Sequence, residues 1–181
     1  IPVTFTPMTE TDYIDVLTIN TNDPEHPILD VDLYGTGTAY HSNVLSLGNV
    51  TVEEGGSIRV PVSIDNTDPI TGFQFDVTLP EGVEFISDSL FTTNRTWRHE
   101  LYANQEEQIL NILCLSMSLD DIALNQGEVM EFTIKPPPGP TSSSLIINNL
   151  ILAQSDMNNV ATGSINGVLN VLSSPIMRID Q

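Results

Sequence analysis

The fold is decided by residues 56–85, whose sequence reads GSIRVPVSIDNTDPITGFQFDVTLPEGVEF. Short runs of alternating apolar and polar residues are separated here by turn-forming Asn, Asp, Pro and Gly. Such alternation is typical of β-strands that bury one face. It predicts three strands, at Ser57–Asp65, Gly72–Leu79 and Val83–Asp88.

The same pattern continues on both sides of this stretch, and long apolar stripes at helical spacing are absent. Six further strands are predicted, at Val44–Val52, Trp97–Ala103, Gln108–Ser116, Glu128–Lys135, Leu145–Ala153 and Ile165–Leu172. A helical turn over Leu119–Leu124 is the one predicted exception. Nine strands close well as a two-sheet jelly roll, so residues 44–173 are predicted to form an all-β sandwich. Residues 174–181 carry no pattern and are predicted to be a linker.

Residues 1–40 differ in character, since they hold seven acidic side chains and no Lys or Arg. Their predicted strands are Val3–Thr6, Tyr13–Asn20 and Ile28–Leu33. Three strands bury too little surface to be stable alone. We therefore expect this segment to dock against the sandwich, or to form a dimer by pairing with the same segment of another chain.

Charge and composition exclude several classes of partner. The 181 residues contain 24 Asp and Glu against 5 Lys and Arg, a formal charge of −19. Binding to nucleic acids or to anionic membrane surfaces requires clustered basic residues, which this sequence lacks. The sequence also contains no run of 18 apolar residues, so membrane insertion is not predicted. The single Cys114 allows no internal disulfide. Because the chain opens with Ile-Pro, we expect a mature protein or an excised piece of a longer one.

The sequence offers no catalytic constellation. It contains no nucleophile elbow, no metalloprotease motif and no phosphate loop, and its three histidines lack partners at metal-ligand spacing. The adjacent carboxylates Glu53-Glu54, Glu106-Glu107 and Asp120-Asp121 fall in predicted turns, where side chains are usually solvated. Cys114 alternates with Leu110 and Ile112, which indicates a buried thiol. We predict that the protein is not an enzyme.

Two turns and one aromatic residue leave ligand questions open. Residues 65–68 (DNTD) and 156–159 (DMNN) supply hard oxygen ligands, so calcium is one interpretation and simple Asx turns are the other. Trp97 is the only Trp. It is expected in the core, since Trp is highly buried on average; the alternative is a sugar-stacking platform formed with Tyr102.

The strand over residues 108–118 predicts a binding surface. If Leu110, Ile112 and Cys114 face the core, then Leu113, Leu115 and Met117 form an apolar row on the outside, and such rows mark interaction sites. The alternative is that the row is covered by Leu119–Leu124 or by residues 1–40. The candidate partner-binding residues are Leu113, Leu115, Met117, Asn111, Gln74, Asp76, Thr78, Arg98, Glu100 and Tyr102.

Residues 44–173 resemble a cohesin domain. The resemblance rests on residues 56–64 (GSIRVPVSI), 70–79 (ITGFQFDVTL), 82–86 (GVEFI), 127–135 (GEVMEFTIK), 149–153 (NLILA) with Asp156, and 166–171 (NGVLNV). It implies that the outer strand face binds a dockerin, a small calcium-loaded module, which favours calcium on the partner over calcium on this chain.

Residues 1–40 resemble the C-terminal half of the immunoglobulin-like repeats of ciliary and spindle proteins, which also occur in bacterial surface proteins. This similarity rests on residues 5–7, 17–24, Pro27 and 33–37. Together the two resemblances imply a non-catalytic protein-binding module of a secreted or cell-surface bacterial multi-domain protein, linked to polysaccharide binding or degradation. The alternatives are a carbohydrate-binding module and a structural spacer of a surface adhesin.

Overall fold

A computed structural model describes residues 4–7, 10–37 and 41–173. The chain divides into two compact units, residues 1–40 and residues 41–181. Every regular element of the described residues is a β-strand, and no helix long and apolar enough to cross a membrane occurs among them. The predicted linker at residues 174–181 lies outside the described residues.

The first unit contains a β-hairpin. Strands β1 (Asp12–Asn20) and β2 (Ile28–Thr36) pair antiparallel along their whole length, which confirms two of the three predicted strands. The third prediction is wrong over residues 4–6, which form no strand, and Val3 lies outside the described residues. Phe5 packs through its side chain instead, with its ring edge-on to Tyr13 at 5.5 Å.

The second unit is a sandwich of two sheets. Its strands are β3 (Asn43–Leu47), β4 (Val50–Glu53), β5 (Ile58–Asn66), β6 (Gly72–Thr78), β7 (Glu84–Thr92), β8 (Glu100–Glu106), β9 (Ile109–Leu115), β10 (Glu128–Lys135), β11 (Thr141–Ala153), β12 (Gly163–Ile165) and β13 (Gly167–Leu172). One sheet has the order β12-β3-β5-β10-β7 and the other has the order β4-β13-β11-β6-β9-β8. The all-β sandwich is confirmed.

Two of the nine predicted strands contribute to both sheets. Val44–Val52 is divided into β3 and β4, and Ile165–Leu172 into β12 and β13. The first break falls at Gly48, whose N–H donates to the Pro61 carbonyl at 2.9 Å. A Cβ at Gly48 would lie 2.5 Å from the Pro61 ring, so the chain can cross between the sheets here only because this residue has no side chain.

Alternate residues of the central strands fill the space between the sheets. Phe73, Phe75 and Val77 on β6 face the core, and Phe132 and Ile134 on β10 face it from the other sheet, each at most 1% exposed. Full burial of such side chains contributes about 1.5–3 kcal/mol each. The inward set Leu110, Ile112 and Cys114 is likewise buried. Burial raises the pKa of the Cys114 thiol to about 12, as a structural thiol requires.

The segments that flank β8 and β9 differ from prediction. Residues 94–98 form successive turns, in which Thr96 N–H donates to Thr93 O and His99 N–H to Thr96 O, so β8 begins at Glu100 rather than at Trp97. No helical turn forms over Leu119–Leu124. Leu119 and Leu124 have φ angles of +56° and +63°, a left-handed conformation that a right-handed helix cannot contain.

Arg95 holds this irregular loop against the core. It is 4% exposed, and its guanidinium donates to five oxygens at 2.6–3.0 Å: the carbonyls of Ile64, Ala123, Leu124 and Gly127 and the side chain of Asn66. Burial lowers the pKa of Arg95, and the negative charge of Asp65 opposes that shift. One side chain thus fixes the position of residues 123–127.

Candidate functional site

The outward surface of β11, β6, β9 and β8, termed the outer face below, contains most of the candidate residues. The strand registers place Tyr102, Leu113, Gln74 and Ile151 side by side in one row across it. The neighbouring row is Glu100, Leu115, Gly72 and Ala153. The predicted inward and outward faces of β6 and β9 are confirmed by burial.

One half of the outer face is a polar network. Asn111 and Asn149 donate side-chain hydrogen bonds of 2.6 Å to the two carboxylate oxygens of Asp76. Asn148 donates to the Thr78 hydroxyl at 3.0 Å. Asn149 reaches Asp76 because a bulge in β11 gives it a φ of +50°. These side chains are therefore fixed before any partner arrives.

The other half of the outer face is apolar. A groove of about 230 Å³ has Gly72 in it and is lined by Leu113, Leu115, Leu119, Ile151 and Met157 among others. Leu113 and Leu115 are half-buried. Met117 lies in the turn after β9 rather than on the strand and is 81% exposed. Residues 119–124 therefore do not cover Met117, and Leu119 is itself 58% exposed.

Sequence reasoning missed three members of this apolar surface. Leu119, Ile151 and Met157 are 58%, 39% and 89% exposed. Ile151 could have been found from the alternation along β11, where Leu152 is buried. Leu119 and Met157 lie in irregular segments with positive φ angles, and alternation carries no information about the direction of such side chains.

Arg98, Glu100 and Tyr102 lie at the border of the outer face. Arg98 belongs to the turn before β8, where it forms an ion pair with Asp120 at 3.3 Å and lies over the Trp97 ring. Tyr102 donates its hydroxyl to the Glu100 carboxylate. That hydrogen bond raises the pKa of Tyr102. The border thus combines one cation with two carboxylates.

Trp97 is not a core residue. It is 65% exposed, because the turns over residues 94–98 direct it outward, with the Arg98 guanidinium 4.5 Å from its ring centroid. The prediction of a buried Trp is wrong.

The carboxylates of the two acidic turns accept hydrogen bonds from neighbouring side chains and backbone. Asp68 accepts from Asn43 at 2.6 Å and from His41 at 2.8 Å, and the bond from Asn43 is the main cause of the lowered Asp68 pKa. Asp156 accepts from the backbone and side chain of Asn158. Within the part of the chain that the structure describes, no three His, Cys, Asp or Glu residues are grouped so that they could hold a metal ion.

A comparison with known protein families identifies the fold that carries this face. The model of the cohesin domain family matches residues 44–171. The chain belongs to the cohesin domain family. Cohesin domains are non-catalytic protein–protein interaction modules, so the prediction of a non-enzymatic binding module is confirmed.

Solved cohesins share the fold at low sequence identity. A non-cellulosomal cohesin from the archaeon Archaeoglobus fulgidus is 18% identical with a TM-score of 0.62, covering 73% of this chain and 92% of its own. The OlpC cohesin of Clostridium thermocellum, solved as a cohesin–dockerin complex, is 10% identical with a TM-score of 0.63, covering 77% and 99%. The CaCohA2 cohesin of Clostridium acetobutylicum is 16% identical with a TM-score of 0.60, covering 72% and 90%. A search of curated proteins found no match.

Proposed function

We propose that this cohesin domain docks a dockerin-type module on its outer face. The observation that carries the proposal is the apolar groove beside a fixed polar network on one sheet face. Structural neighbours solved as cohesin–dockerin complexes, from the OlpC and OlpA cohesins of Clostridium thermocellum, support it. The proposed contact residues are Leu113, Leu115, Met117, Asn111, Gln74, Asp76, Thr78, Arg98, Glu100 and Tyr102.

The outer face has the composition of an interface core with a polar rim. Exposed Met117, Met157 and Leu119 supply apolar area whose burial against a partner is favourable. The fixed Asp76 network offers hydrogen-bond positions without an ordering cost on binding. With a net charge of −19, the chain attracts a partner that is basic around its contact surface.

We further propose the setting in which this docking takes place. The domain would belong to a secreted or cell-surface bacterial multi-domain protein that is linked to polysaccharide binding or degradation. The family supports an assembly role, and the resemblance of residues 1–40 to an immunoglobulin-like repeat supports a modular parent. The residues that flank this chain in its gene would test the setting, since a glycosidase, a dockerin or a cell-wall anchor is expected there.

Docking is tested by titrating the chain with a panel of purified dockerins, with calcium and with a chelator, in a calorimeter. We expect one dockerin to bind with calcium and to fail in the chelator, because the calcium lies on the partner. The double variant Met117→Glu/Met157→Glu should weaken binding at least thirtyfold, as loss of a hot spot does. The matched control Ile165→Glu/Leu172→Glu alters two side chains that are 59% and 53% exposed outside the groove, makes the same change of net charge, and should bind normally. If no dockerin binds the folded chain, the proposal fails.

A carbohydrate-binding function is the second candidate, and the exposure of Trp97 favours it. An exposed indole can stack on a sugar ring, and Arg98 beside it could donate hydrogen bonds to hydroxyl groups. Binding on a glycan array that disappears with Trp97→Ala, but persists in Met117→Glu/Met157→Glu, would favour this function over docking.

A further inference from the structure

A second surface lies between the open edges of the two sheets. β7 ends the five-stranded sheet and β8 ends the six-stranded sheet, and a groove of about 560 Å³ runs between them. Phe85 and Leu90 of β7, with Leu101 and Ala103 of β8, line the groove and pack against the core from their half-buried positions. This surface is separate from the apolar half of the outer face.

The two edges are not equally protected against pairing with another strand. Edge strands are usually blunted by Lys, Pro or a bulge. β7 has such a bulge, since residues 86–89 leave the β10 register and Asp88 has a φ of +59°. β8 has no Lys, Pro or bulge: its sequence is ELYANQE, its only charged residues are Glu100 and Glu106 at its two ends, and its register with β9 is unbroken. The backbone N–H and C=O groups on the free edge of β8 face no neighbouring strand among the described residues.

Charge argues against a second copy of this chain as the occupant of the groove. If two copies of β8 paired antiparallel over all seven residues, Glu100 of each copy would lie opposite Glu106 of the other. Like charges directly opposite each other destabilise a strand pair. Asp88 adds negative charge to the groove, and none of its lining residues is Lys or Arg. The edge thus disfavours an acidic strand and favours a basic one.

We propose that β8 accepts an extended, basic segment of a partner polypeptide as an additional strand of the six-stranded sheet. The burial pattern of β8 turns Leu101, Ala103 and Gln105 inward and the alternate residues outward. Gln105 already bridges to the other sheet, since its amide oxygen accepts from Phe85 N–H at 2.6 Å and its amide nitrogen donates to Val83 O at 3.2 Å. An added antiparallel strand would therefore place apolar side chains opposite Leu101 and Ala103, over the groove. It would place Lys or Arg opposite Glu100 and Glu106, six positions apart. Main-chain hydrogen bonds supply affinity in this mode and the side chains supply selectivity.

The test uses a peptide with this pattern, Lys-Val-Thr-Val-Thr-Val-Lys with blocked ends, titrated into the ¹⁵N-labelled chain and followed by NMR. We expect saturable shifts of amides in β8 and the facing part of β7, with a Kd below about 1 mM. The matched peptide Glu-Val-Thr-Val-Thr-Val-Glu should bind about tenfold more weakly, because both cross-strand charge pairs become repulsive.

A charge-reversal variant makes the test specific to this edge. Glu100→Lys/Glu106→Lys changes two exposed residues, and should reverse the preference so that the Glu peptide binds better. The control Glu53→Lys/Glu81→Lys makes the same change of net charge at exposed positions outside the groove and should keep the original preference. The proposal would be overturned if both double variants changed the peptide preference equally, if the amide shifts were centred away from β8, or if neither peptide bound. The dockerin titration and its Met117→Glu/Met157→Glu variant report on the outer face separately.

Discussion

Replacing Arg95 with Met should be among the most destabilising single changes in the sandwich unit. The side chain is almost fully buried, yet it makes no ion pair within 4.0 Å among the described residues. Its charge is instead compensated by five oxygen dipoles. Those oxygens come from β5 and from residues 123–127, so one side chain joins a core strand to the loop after β9.

The loss of stability in Arg95→Met follows from these contacts. Each buried acceptor that loses its donor costs about 1–3 kcal/mol, although the part-buried carbonyls of Ala123, Leu124 and Gly127 can regain a partner from water. Removing the guanidinium also relieves its own desolvation, which offsets part of the loss. We expect Arg95→Met to lower the free energy of unfolding by about 3–5 kcal/mol. Arg95→Lys keeps the charge and three donors on a differently shaped group, and should lose about half as much.

Urea denaturation measures these differences. Trp97 is the only Trp and lies two residues from Arg95, so its fluorescence reports on this region, and circular dichroism reports on the sheets as a whole. The control is Arg59→Met, which removes an exposed ion pair with Glu131 at 3.2 Å and a cation–π contact with Phe91, and should cost about 1 kcal/mol. If Arg95→Met costs no more than Arg59→Met, the buried hydrogen bonds do not hold the loop, and the reasoning fails.

Three further predictions concern buried positions. His99 is 6% exposed, and neither of its ring nitrogens makes a well-formed hydrogen bond, although backbone groups of Thr71 and Asp120 lie close. Burial lowers the pKa of His99, so the unfolded chain takes up a proton at a higher pH than the folded chain does. The free energy of unfolding should therefore fall as the pH drops below about 6.5. His99→Asn should flatten that dependence in urea titrations between pH 5 and 7, and His26→Asn, an exposed control, should not. The Cys114 thiol should react with a disulfide reagent only as fast as the chain unfolds, so a fast native reaction would contradict its burial. Gly72→Ala would place a Cβ 2.8 Å from the Cys114 carbonyl oxygen and should cost about 1–3 kcal/mol, whereas Gly163→Ala, with its nearest contact at 3.8 Å, should cost less.

Alternation predicted the strands because their burial is decided locally. On β6 and β9, every second residue faces the core, so the period of two in the sequence maps directly onto the two faces. The same local rule failed where one strand serves two sheets. Nothing in the alternation of Val44–Val52 shows that the chain crosses at Gly48, because that break depends on the Pro61 ring of another strand.

The irregular segments could not be predicted, since long-range contacts decide their structure. LDDIAL has a helical composition, but residues 119–124 take the path imposed by the Arg95 hydrogen bonds to Ala123 O and Leu124 O and by the bond from Ile122 N–H to Ile70 O. Trp residues are buried on average, but the successive turns that contain Trp97 direct its side chain outward. The apolar contribution of Leu119 and Met157 to the outer face depends on the same kind of loop geometry.

The loop after β9 links the buried Arg95 to the proposed binding surface. Its first part carries the exposed Met117 and also Leu119, which lines the apolar groove, and its last part is held by Arg95. Between them, Ile122 is 4% exposed and donates its N–H to Ile70 O at 2.7 Å. A loop that is fixed in this way presents its apolar side chains without paying to order them when a partner binds. Arg95 therefore acts as a positioning residue for the outer face, and a variant that loosens the loop should weaken docking even under conditions where the sandwich stays folded.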